Sequence, residues 1–339
     1  MSKEISGKMK LIPGCEYPPA NEQVFIGRMI DDLQSQLKEL YPEGNTLRQA
    51  HPKMHGCVAA EFIVQDNLPD DLKVGLFKEP QTYKANIRFS NANSEIKHDY
   101  DKDVRGMAIK IFGVEGEKEH KGVKDNDTQD FILINHEVFM SKNVEEFHKI
   151  IHALTQGKAS LMLFLLNPFH WSILFRLIGS QKRCAQVLDT KYWSTTPYLF
   201  GNNRAVKYHV QPVNDGPAEG EMMKADKNFL RTNMKKTLSQ KDVFFDFFIQ
   251  FQADANLMPV EDPTVKWTSP FIKIARIKIP KQEFDTIEQD YYGNDLSFSP
   301  WHCLKEHRPL GGLNRARKSV YYTMSDFWHS RNDAYSSKT

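Results

Sequence analysis

The sequence lacks the patterns that identify several protein classes. It has only four cysteines, Cys15, Cys57, Cys184 and Cys303, which lie far apart and form no CxxC pair. A disulfide framework, a cysteine zinc site and covalent c-type haem attachment each need cysteines at characteristic spacings, so all three are unsupported. We expect four reduced cysteines, as in a cytoplasmic protein.

Targeting signals and common enzyme motifs are also missing. The N-terminal segment 1–14 contains no apolar h-region, and no run of 18 or more uninterrupted apolar residues occurs, so neither a signal peptide nor a spanning helix is predicted. GxGxxG, P-loop, GxSxG and HExxH motifs are absent. His136-Glu137 is followed by Val138-Phe139, so the zincin spacing fails.

The charge is almost balanced. Lys and Arg number 45 and Asp and Glu 43, for a formal net charge of +2, which does not favour a nucleic-acid binder. The composition, 40% hydrophobic and 26% charged, is typical of a globular protein. A chain of 339 residues exceeds the usual size of a single core, so we expect one large domain or two closely joined ones.

The apolar pattern predicts two groups of strands with helices between them. An extended arm is expected at 1–20. Runs rich in branched and aromatic residues predict strands at 58–64, 83–91, 104–112, 130–135, 205–213, 242–253 and 271–281. Helical spacing predicts helices at 21–41, 143–166, 169–178, 180–191 and 313–331. This order is typical of the α+β class, and we expect one closed or nearly closed antiparallel sheet.

The most apolar stretch is 159–178, interrupted by Asn167-Pro168. Two interpretations stay open. Such a stretch usually forms helices of the core. The alternative is an interfacial surface that takes a lipid-like substrate from a membrane, for which Phe169, Trp171 and Phe175 are suitable side chains.

Near the C-terminus, Arg317 and Tyr321 are four residues apart in a segment predicted to be helical. Both side chains then lie on one face of the helix. An arginine beside a tyrosine hydroxyl favours the phenolate, and tyrosine is one of the axial ligands that proteins offer to haem iron. Taken alone the pair also fits a surface contact between a cation and a tyrosine.

Further motifs occur in a fixed order along the chain: RQAHPK (48–53), IRFS (87–90), DVRGMAIK (103–110), NDT (126–128) and RKSVY (317–321). In this order the set resembles the haem-catalase family, with its distal-histidine segment, its VRFS and DxRGFAxK strands, its NNT and its proximal RxxxY. The resemblance is closer still to a shorter branch, which includes allene oxide synthases and small catalase/peroxidases, in TTPYLFGNNRAVKYHVQPV (195–213) and PWHCLKEHRPLGGLNRAR (300–317).

The resemblance implies an architecture. The α+β fold would be an eight-stranded antiparallel β-barrel with surrounding helices and haem b in a deep pocket. Residues 1–45 would form an N-terminal arm and helix, residues 46–331 the haem-binding domain and residues 332–339 a C-terminal tail.

The resemblance also implies roles for four residues of the reaction site. Tyr321 would be the axial ligand of the haem iron, with Arg317 holding it ionised. His51 would remove a proton from the peroxide and return it to the departing oxygen, work that suits an imidazole near neutral pH. Asn126 would orient the peroxide and donate a hydrogen bond to the leaving oxygen.

Three further residues would hold the cofactor. Arg48 and Arg88 match family arginines that pair with haem propionates, and arginine suits bidentate binding of carboxylates. Phe139 matches the aromatic residue that lies over the haem face.

Two residues of this chain depart from the family pattern at positions expected to affect activity and haem affinity. Ala50 stands where catalases usually have valine and allene oxide synthases have threonine. Trp328 stands where catalases carry another haem-binding arginine, so either Arg331 substitutes for it or one propionate is less well held.

We therefore expect a cytoplasmic, haem-dependent oxidoreductase that cleaves the O–O bond of peroxides, preferably organic or fatty-acid hydroperoxides. The alternatives are a small catalase or peroxidase acting on hydrogen peroxide, and a haem-binding protein without turnover. The expected partner is the peroxide or lipid hydroperoxide, with no nucleic acid. Peripheral membrane contact and a homo-oligomer remain open.

Overall fold

The computed structural model describes residues 10–41, 51–119, 127–213 and 220–336. Helices in these ranges are α1 Glu22–Leu40, α2 Val144–Thr155, α3 Lys158–Leu166, α4 Trp171–Ser180, α5 Phe229–Leu238, α6 Ile287–Asp295 and α7 Gly312–Ser336. The strands are β1 Met54–Val64, β2 Thr82–Asn91, β3 Arg105–Ile111, β4 Gln129–Ile134, β5 Tyr192–Trp193, β6 Tyr198–Phe200, β7 Arg204–Pro212, β8 Val243–Phe251 and β9 Phe271–Ile279.

All strands belong to one antiparallel sheet in the order β5-β4-β3-β2-β1-β9-β8-β7-β6. The sheet closes because β5 also pairs with β7, with Tyr192 opposite Val210 and Trp193 opposite His209. The ring therefore has eight strands. The ninth strand, β6, has three residues and pairs with β7 on the same edge as β5, at residues nearer the start of β7. The predicted α+β class and eight-stranded antiparallel β-barrel are confirmed.

Aromatic rings fill the barrel. Phe131 lies 4.7 Å from Tyr208 and 4.9 Å from Phe247 between ring centroids, and Phe62 lies 5.1 Å from Phe247. These four side chains come from four different strands and are almost fully buried. Inward and outward positions alternate along a strand, so the outer face of the same strands remains for a second layer.

That second layer is helical. α1, α2 and α7 share a separate apolar cluster that includes Met29, Leu37, Val144 and Leu313. Arg315, near the start of α7, donates to both carboxylate oxygens of Glu22 at 2.7 Å. Bidentate arginine–carboxylate contacts are directional, so this pair sets how α7 lies against α1.

Most predicted elements are observed, with local corrections. The predicted helix at 143–166 is divided into α2 and α3, separated at Gly157, whose φ is +90°. The predicted helix at 180–191 is wrong: apart from one short 3-10 turn at Val187–Asp189, this segment is irregular, and Lys182 forms a β-bridge with Asp103. Helices α5 and α6 and the short strands β5 and β6 were not predicted.

Helices α3 and α4 and the short turn between them form a bent pair that exposes several large apolar side chains, although Ile173 is buried. Leu163 is 70% exposed, Phe169 91% and Phe175 67%. The interpretation of 159–178 as helices of the core is therefore wrong. Among the described residues, no individual helix meets the length and hydropathy required to cross a membrane; Ala159–Leu166 with Pro168–Ser180 meets them only as a pair, with a 91° bend.

A buried ion pair joins β3 to β4. Lys110 and Asp130 are opposite each other in the register, with 3.1 Å between Lys110 Nζ and Asp130 Oδ1, and both side chains are fully buried. His302 Nδ1 lies 2.9 Å from Asp130 Oδ2, and the Ser299 amide donates to the same oxygen at 3.0 Å. Asp130 thus connects the barrel to the loop that precedes α7.

Replacing Asp130 with asparagine is expected to destabilise the protein by about 3–5 kcal/mol, because it leaves the Lys110 ammonium buried without its counter-ion. The free energy of unfolding from denaturant titration measures this change. Asp70→Asn is the matched control, since Asp70 pairs with Lys73 while 95% exposed, and no measurable change is expected there. Equal stabilities of the two variants would contradict the prediction.

Candidate active site

A cavity lies between the outer face of β2–β4 and helix α7. It encloses about 880 Å³ of empty space, part of which is open to solvent. Its walls are mainly apolar, with Ala108, Ile132, Phe298 and Met324 among the lining residues.

Strand register determines which residues face the cavity. Arg88 and Ser90 are two positions apart on β2, so they point to the same side, away from the inward-facing Ile87 and Phe89. On β3, Gly106 lies opposite Ser90 and Ala108 opposite Arg88. The four residues therefore form one continuous patch of the cavity wall.

His51 enters this patch from the segment before β1. Its Nδ1 lies 2.9 Å from Ser90 Oγ, and the Arg88 guanidinium donates to the His51 carbonyl at 2.9 Å. The φ of His51 is +58°, in the left-handed region that side chains with a Cβ seldom occupy. Ser90 holds the ring and Arg88 holds the backbone, so the strained conformation is maintained from both sides.

Gly106 leaves the space that the His51 ring occupies. A Cβ atom at this position would lie 2.6 Å from both Cε1 and Nδ1 of His51 and 3.0 Å from Ser90 Oγ. A side chain of any size would therefore displace the imidazole. The lack of space beside the His51 ring explains why the motif DVRGMAIK has glycine at position 106.

Tyr321 lines the cavity from α7, together with Val320, Met324 and Ser325. The predicted helix at 313–331 is observed as Gly312–Ser336, so Arg317 and Tyr321 are one turn apart as expected. The neighbouring Tyr322 is 63% exposed and lies on another face of the helix. The structure brings Tyr321 and His51 to one cavity.

Arg317 contacts the segment before β6 and its own helix. It donates to Thr196 Oγ1 at 3.2 Å and to Asn314 Oδ1 at 3.3 Å, and its guanidinium carbon lies 5.4 Å from the centre of the Phe139 ring. Burial raises the pKa of Tyr198, and the positive charge of Arg317 acts in the opposite direction. That Arg317 keeps Tyr321 ionised stays a prediction.

Phe139 is buried in the helical cluster, with its ring centroid 5.2 Å from that of Phe147. It is not one of the residues that line the cavity. Its predicted position over the haem face stays a prediction. Arg48, Ala50 and Asn126 lie outside the described residues.

Ser90 and Phe298 line the cavity but had no assigned role in the sequence analysis. Ser90 could have been found from strand alternation, because IRFS places it on the same face as Arg88. Phe298 had no such signal: it lies in the irregular segment between α6 and α7, and only the folded chain brings it to the cavity.

The chemistry of these side chains fits haem b. Tyr321 offers a phenol oxygen as an iron ligand, and His51 offers an imidazole in the same cavity. Apolar walls suit a macrocycle, and the buried Arg88 would offer a positive charge to pair with a propionate. The side chains of the cavity thus provide a phenol, an imidazole and a guanidinium.

No protein-family model and no curated protein matches the chain. Solved structures do match: a fungal catalase with 16% identity and a TM-score of 0.66, catalase A from Saccharomyces cerevisiae with 16% and 0.66, and a bacterial catalase with 15% and 0.62. They cover 87%, 97% and 96% of this chain.

The matched region is a smaller share of each catalase than of this chain. The chain corresponds to 63% of the fungal, 70% of the yeast and 64% of the bacterial catalase, so it spans less than two thirds of two of them. At identities of 15–16% the likeness concerns the fold. The barrel and its surrounding helices have the catalase-like fold.

Proposed function

We propose that the protein is a haem-dependent oxidoreductase that cleaves the O–O bond of peroxides. The observation that carries the proposal is the cavity in which His51, held by Ser90, and Tyr321 are brought together. Haem bound there would supply the iron at which the O–O bond breaks. Tyr321 would hold the iron, and Arg88 would contribute positive charge for a propionate.

His51 is the proton carrier of this proposal. Its imidazole takes the proton of the hydroperoxide and returns it to the oxygen that departs, so the leaving group is an alcohol or water. The Ser90 hydroxyl lies 2.9 Å from Nδ1 and orients the imidazole ring in the cavity. The predicted hydrogen bond from Asn126 to the leaving oxygen would add stabilisation at the same atom.

Organic hydroperoxides, including those of fatty acids, are the proposed substrate class. The apolar cavity walls and the motifs of the shorter branch support this choice. The rival is a small catalase or peroxidase that uses hydrogen peroxide. A haem-binding protein without turnover is the third reading, and the His51–Ser90 contact argues against it because it orients a reactive group.

One preparation of the haem-loaded protein separates these readings. We expect a Soret band, and a kcat/KM for a fatty-acid hydroperoxide about tenfold or more above that for hydrogen peroxide, because an apolar cavity stabilises the longer substrate. Vigorous oxygen release from hydrogen peroxide without lipid consumption would favour the rival. A Soret band without turnover of either substrate would favour the binding protein, and lack of haem binding would refute the proposal.

A membrane is the proposed source of such a substrate. Residues 147–188 contain no Asp or Glu but five basic residues, Lys149, Lys158, Arg176, Lys182 and Arg183. Lys182 and Arg183 are exposed just after α4. Exposed apolar side chains beside positive charge are typical of a surface that enters the interface of an anionic bilayer. We define the bent pair α3–α4, 158–180, as the apolar hairpin and propose that it contacts the membrane.

Leu163→Asp is expected to weaken binding of the protein to anionic phospholipid vesicles by about tenfold, because a leucine side chain contributes about 1.5–3 kcal/mol when it leaves water. Flotation with vesicles of phosphatidylcholine and phosphatidylserine measures this. Leu257→Asp is the matched control, since Leu163 and Leu257 are both 70% exposed but only Leu163 belongs to the apolar hairpin.

Equal losses in both variants, or no flotation of the unmodified protein, would contradict the membrane proposal. Self-association through the apolar hairpin is a further way to contradict it. It would appear as a dimer that Leu163→Asp dissociates, without vesicle binding. A cytoplasmic location and a homo-oligomer stay predictions from the sequence.

A further inference from the structure

A cluster of metal-ligating side chains lies between α1 and α2, away from the cavity. Asp32 of α1 faces His148 and His152 of α2. Asp32 Oδ2 lies 3.0 Å from His152 Nδ1 and 3.3 Å from His148 Nε2, and one ligand atom of each residue lies within 4.8 Å of the others. The three side chains therefore converge on one small volume.

The helical spacing explains the convergence. His148 and His152 are four residues apart, so both project from one face of α2, with ring centroids 5.9 Å apart. Packing of α1 against α2 brings Asp32 opposite them. A histidine pair at i, i+4 with a carboxylate from a second element is a donor set found in zinc proteins.

The distances suit a small ion. In a tetrahedral site with bonds of about 2.0–2.1 Å, neighbouring donor atoms are about 3.3 Å apart. The separations of 3.0 and 3.3 Å from Asp32 Oδ2 are close to this value, and the donor atoms of the three residues all lie within 4.8 Å of one another.

We propose that Asp32, His148 and His152 bind one divalent first-row transition-metal ion. Two imidazole nitrogens and one carboxylate oxygen suit zinc, nickel or cobalt, whereas magnesium and calcium prefer oxygen ligands alone. The exposed fraction of His152, 53%, gives the ion access from solvent and leaves room for water at the fourth position.

Such an ion would fasten α1 to α2. Both helices pack against α7 in the helical cluster, and α7 carries Tyr321 into the cavity wall. The ion would therefore stabilise the helical layer that covers the cavity without touching the cavity itself. This role is independent of whether the cavity holds haem or turns over peroxide.

The test uses the full-length protein after treatment with EDTA, titrated with Zn²⁺ by isothermal calorimetry. We expect one ion per chain and a rise in Tm of about 4 °C at a free Zn²⁺ concentration about 100-fold above Kd. Asp32→Asn should weaken binding at least about tenfold and reduce the rise in Tm, at the same Zn²⁺ concentration, to about half or less. His152→Gln should have the same effect.

Asp31→Asn is the matched control, because Asp31 is the neighbouring, exposed aspartate of the same helix. It should keep both the affinity and the rise in Tm. Equal effects of Asp31→Asn and Asp32→Asn, or no stoichiometric binding by the unmodified protein, would overturn the proposal. If Asp32→Asn lowers Tm before metal is added, His152→Gln still decides, since its side chain is the most exposed of the three.

Discussion

Replacing Tyr321 with phenylalanine is expected to abolish stable haem binding and to lower peroxide turnover by at least about 1000-fold. The change removes the hydroxyl oxygen alone and keeps the ring that lines the cavity beside Val320 and Met324. The change would remove the proposed iron ligand, a phenol oxygen. The Soret absorption of haem-reconstituted protein measures the effect, and turnover of a fatty-acid hydroperoxide provides the second readout.

Tyr322→Phe is the matched control for this experiment. It removes the same atom from the next residue of α7, but its side chain is 63% exposed. Haem binding and turnover should therefore be unchanged. A Tyr321→Phe protein that keeps the haem spectrum of the unmodified protein would show that the axial ligand is misassigned. Loss of the spectrum in both variants would point to damage of the helix instead.

The strands of the barrel could be predicted because most of them are long and rich in branched and aromatic residues. β2 and β8 have ten and nine residues, and branched or aromatic side chains recur along the whole of each strand. β5 and β6 have only two and three residues, too few for a period to be visible. Yet β5 closes the ring, so closure depends on tertiary pairing that no local pattern records.

The predicted helix at 180–191 failed for a related reason. Its residues have acceptable helical propensity, but Lys182 pairs with Asp103, and Gln186 donates to Thr237 from a buried position. Tertiary contacts outweigh local propensity in such segments. In the apolar hairpin the helices were correctly predicted but their burial was not. Hydropathy alone could not determine whether they face the core or solvent.

The site was partly predictable. Tyr321 and His51 were named from motifs, and the structure places both at one cavity. Ser90 and Gly106 have roles that depend on register between β2 and β3, which brings Ser90 opposite Gly106 beside the imidazole. Phe139 illustrates the limit of motif matching, because its surroundings in the helical cluster follow from packing and not from its neighbours in sequence.

The second large effect is expected at His51. His51→Asn should lower kcat for a hydroperoxide by about 10²–10⁴-fold, the usual contribution of a positioned acid–base group. Asparagine is the suitable replacement because it tolerates the left-handed backbone found at this position, φ +58°, better than most residues. The haem spectrum should remain, since the imidazole lies on the strand side of the cavity and Tyr321 on the helix side.

Ser90→Ala gives the graded comparison that distinguishes a proton carrier from a structural histidine. Without the 2.9 Å contact between Ser90 Oγ and His51 Nδ1, the imidazole is still present but less well oriented. We expect a smaller loss in kcat, about tenfold, with a shifted pH profile, whereas His51→Asn should remove the histidine-dependent limb of that profile altogether. His98→Gln, outside the cavity lining, should change neither. If His51→Asn lost haem together with activity, or kept the full kcat and pH profile, His51 would not be the group that moves the proton.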